Sequence, residues 1–197
     1  MTSETGKLTR ESLMSLEEYA GARKTFRDKV IRHKKPRQVH LGPNATLYFE
    51  DRLTMQYQVQ EMLRIERIFE PEGIDEELAA YNPLIPDGSN WKATFMIEFP
   101  EEEQRRTELA RLIGIENRVW VQTGDARSWA IADEDLEREN EDKTSAVHFL
   151  RFELTRQMIE AIREGAPLSM GVAHENYRHD VSPIADETRE SLLADLA

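Results

Sequence analysis

The stretch Trp91-Lys92-Ala93-Thr94-Phe95-Met96-Ile97-Glu98-Phe99 carries an apolar side chain at every odd position. A period of two is the signature of a strand with one buried face, so these odd positions point inward while Lys92, Thr94 and Glu98 face the other way. Pro100 follows and ends the strand, because it has no N–H to give to a ladder.

Upstream, Val39 and Leu41 alternate in one short run and Leu47 and Phe49 in another. Gly42-Pro43-Asn44 lies between them, which makes a hairpin. Before it, Ser15-Leu16-Glu17-Glu18 has the spacing of a capping box. It opens a helix to about Lys35 with Tyr19, Phe26 and Val30 on a thin apolar stripe. Arg32, His33, Lys34 and Lys35 gather in its last turn, where the helix dipole favours cations, and Pro36 stops it. Residues 1–10 read as a mobile polar tail and residues 11–197 as one domain. Between the hairpin and the Trp91 strand, Asp51 to Phe69 is helical, then Ile74 to Ala80, then a breaker-rich loop from Tyr81 to Gly88.

Downstream, Glu101 to Ile113 is a helix with acids at its start and Gly114 at its end. Val119 to Thr123 and Arg127 to Ala132 flank Gly124-Asp125-Ala126 as a second hairpin. After a charged run, Ala146, His148, Leu150, Phe152 and Leu154 share one face of a long strand. A helix from Thr155 to about Glu164 leads to a strand with Leu168, Met170, Val172 and His174 on one face. His179 and Asp180 read as loop, and a helix from about Ala185 to Leu196 closes the chain. Hairpins outnumber helical crossovers. The expected class is therefore α+β: a largely antiparallel sheet, open or curled towards a barrel, with helices packed on one side.

Composition narrows the chemistry. A formal charge of −12 repels nucleic acid and anionic membrane surfaces at long range, so neither is an expected partner. There is no cysteine, which removes disulfides, thiolate metal sites and cysteine nucleophiles together. The first residues lack the apolar run of a secretory signal and no stretch approaches membrane-span length, which points to the cytoplasm. No Gly-x-Ser-x-Gly elbow, dinucleotide fingerprint, phosphate-binding loop or His-Glu-x-x-His is present.

Three polar residues fall on faces that periodicity assigns to the interior: Glu66, His148 and His174. On the Asp51–Phe69 helix, Met55, Val59, Met62 and Phe69 share a stripe and Glu66 lies among them. One carboxylate and two imidazoles can hold a divalent metal, with iron, zinc or manganese as the candidates. The alternative is structural: Glu66 pairs with an arginine or a backbone group, and each histidine is a satisfied core residue. Gln58, Gln60, Glu61 and Arg64 surround the same stripe and read as solvated helix residues. Asp133 to Asp142 suggests calcium but lacks the EF-hand glycine and spacing, so a solvated charged segment is expected. The basic group from Arg32 to Arg37 could meet an anion, although helix-end electrostatics accounts for it.

Three stretches carry a family resemblance: Tyr57-Gln58-Val59-Gln60-Glu61-Met62-Leu63-Arg64-Ile65-Glu66, Tyr81-Asn82-Pro83-Leu84-Ile85-Pro86 and Asp142-Lys143-Thr144-Ser145-Ala146-Val147-His148-Phe149-Leu150-Arg151-Phe152. They resemble a bacterial family known as domain of unknown function 3501 (DUF3501), from about Leu8 to Leu196. Members of that family are often encoded near rubrerythrin-like and iron–sulfur oxidoreductase proteins. The resemblance therefore implies an accessory or ligand-binding role beside a redox-stress system. It supplies no catalytic residues, and without cysteine any iron–sulfur cluster would belong to a partner.

Overall fold

A computed structural model describes residues 6–132 and 143–197. The hairpin forms as expected: β1 (Gln38–His40) pairs antiparallel with β2 (Ala45–Glu50). The Trp91 strand is β3 (Asn90–Ile97), and it lies between β2 and the long strand that follows the charged run.

In chain order the remaining strands are β4 (Val119–Thr123), β5 (Ala126–Trp129), β6 (Ile131–Ala132), β7 (Val147–Glu153), β8 (Leu168–His174) and β9 (Tyr177–Val181). They make two antiparallel sheets, ordered β1-β2-β3-β7-β6 and β5-β4-β8-β9. The class is α+β, with two separate sheets rather than one closed barrel among the described residues. The helices are α1 (Leu16–Lys34), α2 (Arg52–Glu66), α3 (Pro71–Tyr81), α4 (Glu102–Arg111), α5 (Arg156–Arg163) and α6 (Asp186–Leu193).

One core cluster gathers the inward sets of both sheets: Trp91, Ala93, Phe95 and Ile97 of β3, Leu150 and Phe152 of β7, Val119 and Val121 of β4, and Leu168, Met170 and Val172 of β8. Register explains why they meet. Phe95 stands opposite His148 and Ala93 opposite Leu150, while Val119 stands opposite Val172 and Val121 opposite Met170. A second cluster, with Met55, Val59, Leu63, Leu78 and Ile85, lies under α2 and α3. Leu8 belongs to it, and its N–H donates to Asn82 Oδ1 at 2.8 Å. The expected N-terminal tail is therefore docked from Leu8 onward, and residues 1–5 lie outside the described residues.

The segment expected as one strand from Arg127 to Ala132 divides at Ala130. Trp129 pairs with Trp120 in one sheet, whereas Ile131 pairs with Arg151 in the other. Where a loop was expected at His179 and Asp180, β9 forms instead, pairing Val172 with His179 and His174 with Tyr177. Tyr177 also ties the sheets together. Its hydroxyl donates to Leu41 O at 2.6 Å and accepts from the Asn44 N–H at 3.1 Å. Gly42, at φ +81°, has no room for a side chain, since a Cβ would sit 2.5 Å from the His179 ring.

Buried charge is paired across elements. Arg37 is buried just before β1 and donates to the Phe49 and Glu50 carbonyls, to Ser191 O and to Asp195 Oδ2 at 2.6 Å. Asp51 caps α2 and accepts a hydrogen bond from His33 Nε2 at 2.5 Å. Burial opposes the Asp51 charge, but the hydrogen bond to His33, the nearby Arg37 charge and the Thr54 N–H together hold its carboxyl below the usual range.

Candidate functional site

The expected interior position of Glu66 does not hold. Helical geometry puts it within about 20° of Val59, yet Glu66 is exposed, as are Ile65 and Phe69. The buried face of α2 runs through Met55, Val59 and Leu63 and ends there. Arg67 then turns left-handed at φ 54° and Ile68 N–H returns to Leu63 O, so the last turn of the helix projects beyond the groups that cover Val59. Angle predicts direction, but not where the covering elements stop.

His148 and His174 are interior, as expected, but they belong to different sheets and to different local networks. His148 Nε2 donates to Ser145 O at 3.0 Å, with Thr144 Oγ1 also 3.0 Å away and Glu116 Oε2 at 3.9 Å. His174 accepts the Asn176 N–H on Nδ1 and donates from Nε2 to Ile113 O at 3.1 Å. Both its nitrogens are occupied, which leaves no lone pair for a metal. Among the described residues no group of three or more histidines, aspartates or glutamates is arranged to hold a metal ion. Glu66, His148 and His174 are therefore not assembled into the divalent-metal site that their expected interior faces suggested. The acidic run from Asp133 to Asp142 lies outside the described residues.

Two further polar readings change. Gln60 is fully buried rather than solvated: its Oε1 accepts from Met14 N–H at 2.6 Å and its Nε2 donates to Met14 O at 3.2 Å. Glu61 pairs with Arg23 through two nitrogens, at 2.7 and 2.9 Å, and accepts from Tyr19 Oη. Arg23 first, and then Tyr19 and Arg64, hold its carboxyl down at about 2 against desolvation.

What the structure does assemble around His174 is a cleft of about 690 Å³. Its walls include Ile113, Asn117, Arg118, Glu175 and Arg178. Each is placed by a local cause. Leu112 and Ile115 are buried in the core, so Ile113 between them turns outward. Gly114, at φ +80°, reverses the chain after α4 and opens a 3₁₀ turn over Ile115–Arg118. In that turn Glu116 is buried toward His148 and accepts from Asn117 Nδ2 at 2.8 Å, leaving Arg118 exposed at the cleft.

The opposite wall is the β8–β9 turn, held against the end of α4. Asn176 Nδ2 donates to Arg111 O at 2.8 Å and His174 donates to Ile113 O, so carbonyls left over at the helix end are satisfied. Arg178, exposed on β9, stands directly opposite Ala173 of β8, itself in the lining. Neither Arg118 nor Arg178 forms an ion pair among the described residues, although acids outnumber bases 38 to 26. Among the described residues Glu175 is the one carboxylate in the lining, and it lies within salt-bridge distance of neither arginine. His174 thus shapes the wall, while two guanidiniums supply unspent positive charge.

A family model described as "Protein of unknown function (DUF3501)" matches residues 7–196. The chain belongs to this family. A DUF3501 chain of this length also resembles a solved structure, the crystal structure of a novel protein of unknown function from Burkholderia pseudomallei K96243. That protein is 51% identical, with 98% of this chain and 100% of that chain covered and a TM-score of 0.90. No curated protein matches the chain. Among the described residues of this DUF3501 protein, no helix is long and apolar enough to cross a membrane.

Proposed function

We propose that this chain is a binding protein whose cleft, between the end of α4 and the β8–β9 turn, takes a small organic phosphate. The supporting observation is the pair Arg118 and Arg178, two guanidiniums without an ion pair among the described residues, lining one concave site of an otherwise acidic chain. A carboxylate can be satisfied by one bidentate arginine, whereas a phosphate monoester has oxygens and charge for both. Asn117 adds polar capacity and exposed Ile113 an apolar wall for the organic part. Binding fits better than catalysis, because the cleft's imidazole has both nitrogens committed to backbone groups.

Such a role is compatible with an accessory protein beside rubrerythrin-like or iron–sulfur partners, where any cluster would belong to the partner because this chain has no cysteine. The test is calorimetric titration with ribose 5-phosphate. Saturable binding that falls about tenfold or more in Arg118→Gln and in Arg178→Gln is expected, since a hydrogen bond to a charged group is worth roughly 1.5–3 kcal/mol. Absence of binding to the wild-type protein at low salt would end the reading.

A further inference from the structure

The cleft continues onto an open sheet face. Side chains alternate along β4, so Trp120 and Gln122 point to the same side, away from core residues Val119 and Val121, and Arg118, the last residue of the 3₁₀ turn that leads into β4, lines the cleft with Ala173 and Arg178 of the neighbouring strands. Register extends that side across the sheet. Trp120 stands between Trp129 of β5 and Gly171 of β8, and Gly171 is opposite Asp180 of β9. Gln122 stands between Arg127 and Ser169.

This surface is built in layers. Trp120 lies on Gly171, where a Cβ would come 2.5 Å from the indole. The guanidinium of Arg127 lies 4.0 Å from the Trp120 ring centroid and 5.5 Å from that of Trp129, while its Nε donates to Gln122 Oε1 at 2.8 Å. Gln122 is in turn held by Gly124 O at 2.8 Å. A long cationic side chain is thus fixed flat, exposed and without an ion-pair partner among the described residues. Beside it Trp129 is 43% exposed, an unusual position for a large indole.

We infer that the ligand of the cleft is a free nucleoside monophosphate, its phosphate between Arg118 and Arg178 and its base stacked on the Trp129–Arg127 surface. The inference rests on the phosphate-binding reading above and names its substrate class. Trp129 stands opposite Trp120 and Arg118 precedes Trp120 by two residues, so the two are at most about 7 Å apart along the chain and about 5 Å across the strands. A sugar bridges that span, with a base at one end and a phosphate at the other. Aromatic and guanidinium planes accept any base face, so the site selects for a base without dictating which one. Asp180, in the same row as the indoles, offers an acceptor for sugar hydroxyls. The chain's net charge of −12 favours a mononucleotide over a polymer, because repulsion grows with each added phosphate.

The deciding experiment titrates the intact protein with adenosine 5′-monophosphate, uridine 5′-monophosphate, ribose 5-phosphate and a 5′-phosphorylated single-stranded oligonucleotide. Both nucleotides should bind at least about fivefold tighter than ribose 5-phosphate, the lower end for stacking one base. That advantage should vanish in Trp129→Ala and partly return in Trp129→Phe, with tryptophan fluorescence of the wild type quenched on binding. Equal affinity for the nucleotides and the sugar phosphate overturns the stacked base while leaving the phosphate cleft standing. No binding by any of the four overturns both. An oligonucleotide that binds more tightly than either nucleotide, with steep salt dependence, overturns the free nucleotide in favour of a strand end.

Discussion

Replacing Arg37 by methionine should strip the molecule of its best-connected buried cation while keeping most of the side-chain volume. The guanidinium reaches the Phe49, Glu50 and Ser191 carbonyls and the Asp195 carboxylate at 2.6 Å, so one residue joins the start of the first sheet to α6. Removing one member of a buried pair leaves the other charge uncompensated, typically at about 3–5 kcal/mol. That is a large share of an ordinary domain's stability, roughly 5–15 kcal/mol. The cost also depends on pH. Burial pushes the Asp195 carboxyl up to about 6, above its ordinary value of 3.8, although Arg37 pulls it down. A raised carboxyl contributes stability below its unfolded value and loses that contribution as pH rises through its folded value. Without Arg37 the folded value climbs further, so the deficit of Arg37→Met should widen as pH goes from about 6 to about 8. Urea denaturation of both proteins across that range measures it. A difference below about 1 kcal/mol at every pH, or one that shrinks as pH rises, would refute the account.

The remaining predictions concern three other contacts. Glu61→Gln removes the acceptor of Arg23 and Tyr19. Because its carboxyl is held at about 2, its contribution is present above the ordinary value of 4.5 and is lost as pH falls towards 2. Screening at the half-exposed Arg23 limits the loss at neutral pH to about 1–2 kcal/mol, and chemical denaturation at pH 7 and in acid checks it. Tyr177→Phe takes away the donor to Leu41 O and the acceptor for Asn44 N–H, and should cost about 1–3 kcal/mol by the same assay. Glu66→Gln should shift stability by less than about 0.5 kcal/mol and leave the metal content of the purified protein, read by elemental mass spectrometry, unchanged.

The parts of the fold that were legible share a local cause. The strict alternation of β3 needs no distant information, and the Ser15 box closes on itself, Glu18 N–H to Ser15 Oγ and Ser15 N–H to Glu18 Oε2. The β1–β2 turn is equally self-contained. What escaped depends on neighbours. In β9 only Tyr177 is buried, because it is an edge strand with its polar side in solvent, so its sequence has no apolar rhythm. Gln60 is buried because the chain before α1 crosses it, which helical angle cannot reveal. Glu66 failed for the reverse reason, a correct angle with nothing above it. The cleft was invisible as a unit because Arg118 and Arg178 are far apart in the chain. One signal did exist: Trp120 and Gln122, with Arg118 just before them, alternate with the apolar Val119 and Val121.

The division at Ala130 has a mechanical meaning. Trp129 is bonded into one sheet and Ile131 into the other, with a single buried alanine between them whose N–H is held by Val119 O at 2.9 Å. A peptide with no slack cannot serve as a hinge. The ladder bonds on either side of that alanine hold the two sheets at a fixed chain separation. The Trp129 surface is therefore joined to β7 through backbone alone, by way of Ala130 and the pairing of Ile131 with Arg151.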